Sequence, residues 1–136
     1  MEIVGDSITC GFGNEAANND PEYRNSEENG WMSYGAIAAR ELGYEFRIIS
    51  ESSISVCQPQ RPFIPMHAMD EIYHLTDELY DSRRGVEPSS WDFKKYHNDI
   101  VVLNLGTNDA NPMRFYQNIS DVDEMEMFFE KQYRNF

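Results

Sequence analysis

The sequence predicts an α/β protein built on a parallel sheet, and three observations favour this class. Short apolar segments at 2–5, 46–50 and 99–106 alternate with segments of helical periodicity. The third segment is apolar almost without interruption, which is typical of a parallel strand buried on both faces. A polar loop rich in Gly, Ser or Asn follows each segment, as at the ligand-binding edge of open parallel sheets.

The first half of the chain predicts strand, turn, helix and strand. The strand at 2–5 is followed by a Gly-rich turn over 6–14 and a polar, acidic loop over 15–30. Apolar residues at helical spacing predict a helix over 31–42, which Gly43 would end in a left-handed conformation. The strand at 46–50 comes next.

The second half is less regular before its last helix. The Ser-rich segment 51–60 and the Pro-interrupted segment 59–65 predict irregular structure, whereas 66–80 is partly helical and 91–96 forms a short helical turn. The last helix is predicted over 121–135, with Ser120-x-x-Asp123 as its capping box. Its apolar residues form one stripe that we expect to face the core: Val122, Met125, Phe129, Tyr133 and Phe136.

This order of elements predicts a flavodoxin-like, three-layer α/β/α fold with about three strands present. In the strand order 2-1-3-4-5 the third strand has a further neighbour, yet no apolar run for a fourth strand follows it. Native proteins avoid a long, flat, hydrophobic edge strand. We therefore expect residues 1–136 to be a single, partial domain whose sheet lacks its C-terminal portion.

The composition of the chain limits the classes of partner that it is expected to bind. The chain has 136 residues, of which 40% are hydrophobic, and a formal net charge of −13. Nucleic acids and anionic membranes need a basic surface, so neither is an expected partner, whereas a neutral sugar ester is compatible with this charge. No signal peptide or long apolar run is present, so the chain as it stands reads as cytoplasmic, while the localisation of the protein is left open. Cys10 and Cys57 are expected to be free thiols, with a bridge left open.

Three loops carry groups suited to acyl transfer, which requires a nucleophile, a base and donors aimed at the developing oxyanion. Ser7 lies in the first loop, Ser53 in the second and Asn108 in the third. The loops should share one edge of a parallel sheet. Ser7 can then act as the nucleophile, while the backbone N–H groups of Ser7 and Ser53 and the Asn108 side-chain amide can hold the oxyanion.

Other chemistries fit these residues less well. Asp6 and Asp109 could suggest a glycosidase or a metal site, but we expect them to serve the hydrogen bonding of the loops. Gly11-Phe12-Gly13 lacks the third glycine of a dinucleotide fingerprint, so neither a cofactor nor a metal is expected. Three aromatic residues could stack on a sugar, although core packing is the expectation for the first two: Trp31, Tyr34 and Tyr23.

Two motifs carry a resemblance to a known family. GDSITCGFGN resembles the first block of the SGNH (GDSL-type) hydrolases, and LNLGTND resembles their Gly-x-Asn-Asp block. Carbohydrate esterase family two is the more specific resemblance, through WMSYGAIAARELG, IISESSISV and WDFKKYHNDIVVLNLGTND. It implies an acetyl esterase of carbohydrates, often secreted, with Ser7 as nucleophile, Asn108 as oxyanion donor and a backbone donor near Ser53.

The sequence departs from this family in two places. The family's Ser-Gly-x-Gly block reads here as Ser52-Ser53-Ile54-Ser55. If the family's backbone there requires positive φ or a close approach of substrate, Ser53 and Ser55 would strain or narrow the site. The Asp-x-x-His block that supplies the family's base is absent, and His67, His74 and His97 read as surface or loop residues. We therefore expect a serine esterase that acts on oligosaccharide or small-molecule esters with impaired turnover. The alternatives are a non-catalytic carbohydrate-binding remnant and an unstable gene fragment.

Overall fold

The computed structural model describes residues 1–17, 24–56, 67–109 and 121–136. Residue contacts divide the chain into two compact units. The first comprises Met1–Ile54 with Asn98–Asn108, and the second comprises Ser55–His97 with Asp109–Phe136. The predicted α/β class with a parallel sheet is confirmed. A single partial domain over 1–136 stays a prediction.

The described elements alternate between strands and helices along most of the chain. In order they are β1 Glu2–Gly5, α1 Ser7–Cys10, α2 Tyr34–Glu41, β2 Arg47–Ser50, α3 Met69–Ile72, β3 Leu75–Thr76, α4 Glu78–Arg83, β4 Ser89–Ser90, β5 Val101–Asn104 and α5 Val122–Asn135. Two short 3₁₀ turns, Asn25–Glu27 and Gly30–Met32, precede α2.

The first unit contains a parallel sheet with the order β2-β1-β5. This is the predicted arrangement, in which the second and third strands of the sheet flank the first. Strand β1 is buried along its whole length, and Ile3 and Val4 have no exposed surface. Its register aligns Gly5 with Ser50 of β2 and with Asn104 of β5, so the three strands end at the same level.

Strand β5 corrects one prediction. Of the predicted span 99–106 only Val101–Asn104 forms the strand, and within the described residues it pairs with β1 alone. Val101 is 49% exposed and Leu103 is 40% exposed, so the prediction of burial on both faces is wrong. A continuous apolar run indicates a strand, but its burial depends on the elements that cover its two faces and its free edge.

Helix α2 is shorter than its apolar pattern predicts. Ser33 is extended, with φ −73° and ψ 159°, and separates the Gly30–Met32 turn from the helix proper. Gly35 lets α2 approach β1, because a Cβ there would lie 2.8 Å from the buried side chain of Ile3. Gly43 follows the helix with φ 75°, as predicted from its position.

The second unit contains α3, α4, α5 and a small antiparallel pair of strands, β3 and β4, that the sequence pattern did not predict. Asp121 caps α5 by accepting a hydrogen bond from the Glu124 N–H at 3.0 Å. The predicted cap, Ser120, lies outside the described residues. In the predicted stripe Val122 is 68% exposed, whereas the other four members are half-buried: Met125, Phe129, Tyr133 and Phe136.

Candidate active site

The level ends of the three parallel strands bring three loops to one edge of the sheet. Ser7 comes two residues after the end of β1, Ser53 comes three residues after the end of β2, and Asn108 comes four residues after the end of β5. All three residues belong to the first unit. The sheet therefore places the predicted nucleophile and the two predicted oxyanion donors on loops that share the carboxyl edge.

Ser7 is the first residue of α1, and its surroundings explain the Gly-Asp-Ser sequence. A Cβ at Gly5 would lie 1.9 Å from Thr9 Oγ1, so only glycine lets the strand turn directly into the helix. Asp6 is buried and caps α1, since its Oδ1 accepts a hydrogen bond from the Ile8 N–H at 3.0 Å. As the first helical residue, Ser7 has an N–H that no carbonyl within the helix can accept. Its side chain is half-buried.

Ser53 occupies the left-handed region, with φ 72°. It is the third residue of a four-residue turn that the Ile54 N–H closes onto the Glu51 carbonyl oxygen at 3.3 Å. Type II turns require positive φ at this position and normally place glycine there. The turn's own hydrogen bond uses the Ile54 N–H, so the Ser53 N–H is not part of it. The serine is therefore strained where the resembled family has glycine.

Substituting Ser53 with glycine should stabilise the protein. The left-handed conformation costs a non-glycine residue about 1–2 kcal/mol, which glycine does not incur. Part of this stabilisation is lost because glycine gives the unfolded chain more conformational freedom. We expect the free energy of unfolding in urea to rise by about 1 kcal/mol. Ser90→Gly is the control, because Ser90 is exposed in β4 and has negative φ. A Ser53→Gly variant that is no more stable than Ser90→Gly would contradict the strain.

Asn108 and Asp109 each make buried hydrogen bonds to the segment after β2. In the first unit, Asn108 Nδ2 donates to the Ile54 carbonyl oxygen at 2.9 Å. In the second unit, the Asp109 carboxylate accepts the Val56 N–H at 2.9 Å to Oδ1 and 3.1 Å to Oδ2. Asp109 is fully buried. The expectation that Asp6 and Asp109 serve hydrogen bonding of their loops is thus confirmed.

A polar cluster that the sequence analysis did not single out lies beside these loops. The Cys10 Sγ donates to Ser50 Oγ at 3.2 Å, and the Ser52 hydroxyl donates to Glu28 Oε1 at 2.5 Å. Burial is the main cause that raises the pKa of the Cys10 thiol, and the nearby Glu28 and Asp6 carboxylates add to it. The thiol therefore stays neutral at pH 7 and is a poor nucleophile. Cys57 lies outside the described residues.

The histidines of the chain are exposed loop residues, as predicted. His67 Nε2 lies 2.9 Å from Glu78 Oε1, and its Nδ1 lies 3.6 Å from Glu71 Oε2. Both nitrogens of this imidazole thus face carboxylates of the second unit. His74 and His97 lie in the turns that follow α3 and precede β5.

In the part of the chain that the structure describes, no group of three or more metal-ligating side chains comes together. Among those same residues, no helix has the length and apolarity needed to cross a bilayer.

Trp31 and Tyr34 are more exposed than the sequence predicts. Trp31 is 60% exposed, so the prediction that it packs in the core is wrong. Its ring contacts Phe46, at 5.6 Å between centroids, and the Arg40 guanidinium, at 4.3 Å from the centroid. Tyr34 is 38% exposed and its hydroxyl lies 3.1 Å from Thr9 Oγ1. Tyr23 lies outside the described residues.

Comparison with known proteins supports the resemblance read from the motifs. The family model for GDSL-like lipase/acylhydrolase matches residues 1–132. Cellulase/esterase CelE of Acetivibrio thermocellus is 36% identical over 109 residues, which cover 80% of this chain and 12% of that protein. An acetylxylan esterase / glucomannan deacetylase of Cellvibrio japonicus is 24% identical over 115 residues, covering 80% of this chain and 29% of that protein.

The fold has similar solved structures. A family two carbohydrate esterase from Clostridium thermocellum, solved in complex with cellohexaose, superposes with a TM-score of 0.73 at 34% identity. The match covers 98% of this chain and 36% of that one, so the chain spans about a third of that structure's length. The family match agrees with the order of the parallel sheet and with the position of Ser7 just after β1. The chain belongs to the GDSL-like lipase/acylhydrolase family, and family two carbohydrate esterases are among its relatives.

Proposed function

We propose that the protein is a serine esterase that removes acetyl groups from carbohydrates. The observation that carries the proposal is the register of the sheet, which ends β1, β2 and β5 level and so gathers Ser7, Ser53 and Asn108 on one edge. Relatives named acetylxylan esterase / glucomannan deacetylase support the substrate class. The net charge of −13 suits a neutral sugar ester better than an anionic one.

The chemistry is an acyl-enzyme mechanism. The Ser7 oxygen attacks the acetyl carbonyl as a base takes its proton, and the tetrahedral oxyanion is held by the N–H groups of Ser7 and Ser53 and by Asn108 Nδ2. The sugar oxygen leaves with the proton that the base returns. Water then attacks the acetyl-serine and releases acetate. The bond from Asn108 Nδ2 to the Ile54 carbonyl fixes the direction in which both amide hydrogens point.

We expect the base to limit the rate of hydrolysis by these 136 residues. No Asp-x-x-His motif occurs in the 136 residues, and the three histidines are exposed loop or turn residues. Loss of a triad member in serine hydrolases costs several orders of magnitude, and the remaining catalysis comes from binding and the oxyanion hole. We therefore expect slow hydrolysis by this chain. Carbohydrate binding without turnover is the second candidate function, favoured by the missing motif.

The proposal is tested by measuring the reactivity of the Ser7 hydroxyl. We expect a fluorophosphonate probe to label Ser7 slowly and p-nitrophenyl acetate to be hydrolysed well below the rate of ordinary esterases. Ser7→Ala should abolish both signals, whereas Ser90→Ala, which changes an exposed serine in β4, should leave them unchanged. Labelling that is absent, or that persists in Ser7→Ala, would refute the nucleophile.

Binding is measured separately. Calorimetric titration with acetylated xylo-oligosaccharides on the Ser7→Ala protein reports affinity without turnover. Binding without Ser7-dependent hydrolysis would favour the non-catalytic function. Ser7-dependent hydrolysis at the rate of an ordinary esterase would support the esterase and contradict the expected impairment.

A further inference from the structure

We propose that Glu28 is a positioning residue that holds the turn carrying the Ser53 N–H, through its hydrogen bond with Ser52. The inference rests on the proposed esterase function and assigns a role to a side chain outside the two family motifs. Glu28 lies 21 residues after Ser7, in a polar loop that the sequence pattern leaves without a function. Its carboxylate Oε1 accepts the Ser52 hydroxyl at 2.5 Å.

The turn needs external support because its geometry is unfavourable. Ser53 stands at φ 72°, a region that a serine occupies only when the surrounding structure over-determines it. Hydrogen bonds from other parts of the first unit hold the turn. Glu28 holds Ser52 at its entrance, Asn108 holds the Ile54 carbonyl at its exit, and the Glu51 N–H donates to the Gly5 carbonyl at 3.4 Å.

The loop that carries Glu28 is itself fixed to the nucleophile turn. The Asn29 N–H donates to the Gly11 carbonyl oxygen at 3.1 Å, directly after α1. The Asn29 side chain donates to Glu15 Oε1 at 2.6 Å, and Asn14 Nδ2 donates to the Asn29 and Met32 carbonyls at 3.3 and 3.1 Å. A Cβ at Gly11 would lie 2.2 Å from the Asn29 oxygen, so this contact is close.

Glu28 thus connects two parts of the proposed site. Through Asn29 it is tied to the end of the helix that starts with Ser7, and through Ser52 it is tied to the turn that carries the Ser53 N–H. Oxyanion stabilisation depends on donors fixed in place before the reaction. Loss of this connection should loosen one donor and lower the rate of acylation while leaving ground-state binding unchanged.

The test compares three variants of the full chain by the rate of Ser7 labelling with a fluorophosphonate. Glu28→Ala removes the acceptor, and we expect about a tenfold loss, less than the 10²–10³-fold loss of removing an oxyanion donor outright. Glu28→Gln keeps an oxygen that can accept the Ser52 hydroxyl and should retain most of the rate. Glu27→Ala is the matched control, since Glu27 is adjacent and its carboxylate pairs with the exposed Arg24.

Rescue separates positioning from general loss of stability. Glycine adopts positive φ without strain, so Ser53→Gly should restore labelling in the Glu28→Ala background although the Glu28 hydrogen bond stays absent. For p-nitrophenyl acetate, kcat should fall in Glu28→Ala with KM unchanged. A Glu28→Ala rate within twofold of Glu27→Ala, or a loss that Ser53→Gly does not restore, would overturn the inference.

Hydrogen exchange keeps this test independent of the proposed function. If the wild-type protein is not labelled at Ser7, the esterase proposal fails, but the structural role of Glu28 is still measured. Backbone amides of residues 50–56 should exchange faster in Glu28→Ala than in Glu27→Ala or Glu28→Gln. Equal exchange in all three variants would overturn the role of Glu28, whatever the labelling shows.

Discussion

Asn108→Ala is expected to slow Ser7 acylation by about 10²–10³-fold, the usual effect of removing one oxyanion donor. It should also lower the free energy of unfolding by about 1–3 kcal/mol, because the Ile54 carbonyl, on a fully buried residue, loses the Asn108 Nδ2 donor 2.9 Å away. Labelling of Ser7 by a fluorophosphonate measures the first effect, and urea unfolding measures the second.

Asn98→Ala is the matched control for this variant. Asn98 also lies in the first unit and uses its side-chain amide, whose Oδ1 accepts from Arg47 at 2.6 Å, but it precedes β5 at the opposite end of the strand. We expect Asn98→Ala to change stability with little change in labelling per folded molecule. If the two variants are labelled at the same rate, Asn108 is not an oxyanion donor.

Glu2→Ala is expected to destabilise the protein by about 3 kcal/mol, since it breaks an ion pair whose carboxylate is fully buried. The Glu2 side chain has no exposed surface, and its Oε2 lies 3.3 Å from Arg47 Nη2 across the β1–β2 pair. Arg47 is 30% exposed, so its charge regains part of its hydration when the partner is removed, which places the cost at the lower end of the usual range. The free energy of unfolding in urea measures the effect.

Glu130→Ala provides the comparison with a surface pair. Glu130 and Arg134 lie 2.6 Å apart on α5, but their side chains are 58% and 75% exposed, so the loss should be about 0.3–0.5 kcal/mol. The double variant Glu2→Ala/Arg47→Ala should be less destabilised than the sum of the single variants, because neither charge is left without the other. Additive effects, or a Glu2→Ala cost as small as that of Glu130→Ala, would show that the pair adds little to stability.

Local sequence was sufficient to predict the features that depend only on residues nearby in the chain. Glycine at position 5 is required by the crowding of Thr9, and the Gly43 position ends α2 as its place in the pattern predicts. The predicted order of the parallel strands is confirmed, because connection rules restrict how three such strands can be arranged. The departure from the family's Ser-Gly-x-Gly block indicates either strain or a narrowed site at Ser53 and Ser55, and of these two residues only Ser53 has positive φ.

Features that depend on distant residues could not be predicted in this way. The Glu28–Ser52 bond joins residues 24 positions apart, and no local pattern distinguishes Glu28 from the other acids of its loop. The exposure of Val101 and Leu103 depends on what lies beyond β5, which an apolar run does not encode. The small β3–β4 pair joins two-residue strands too short to leave a periodic signal.

The sequence by itself determined the α/β class and the family, because turn chemistry and motif spacing are local properties of the chain, and it also supplied the residues that we propose as nucleophile and oxyanion donors. The tertiary structure decided which groups support them. Parallel register aligned the loops of Ser7, Ser53 and Asn108, and long-range hydrogen bonds tied the strained turn at Ser53 to Glu28 and Asn108. Those bonds join residues that are distant in the sequence and form only when the sheet has brought its strands together. Local sequence patterns therefore do not predict them.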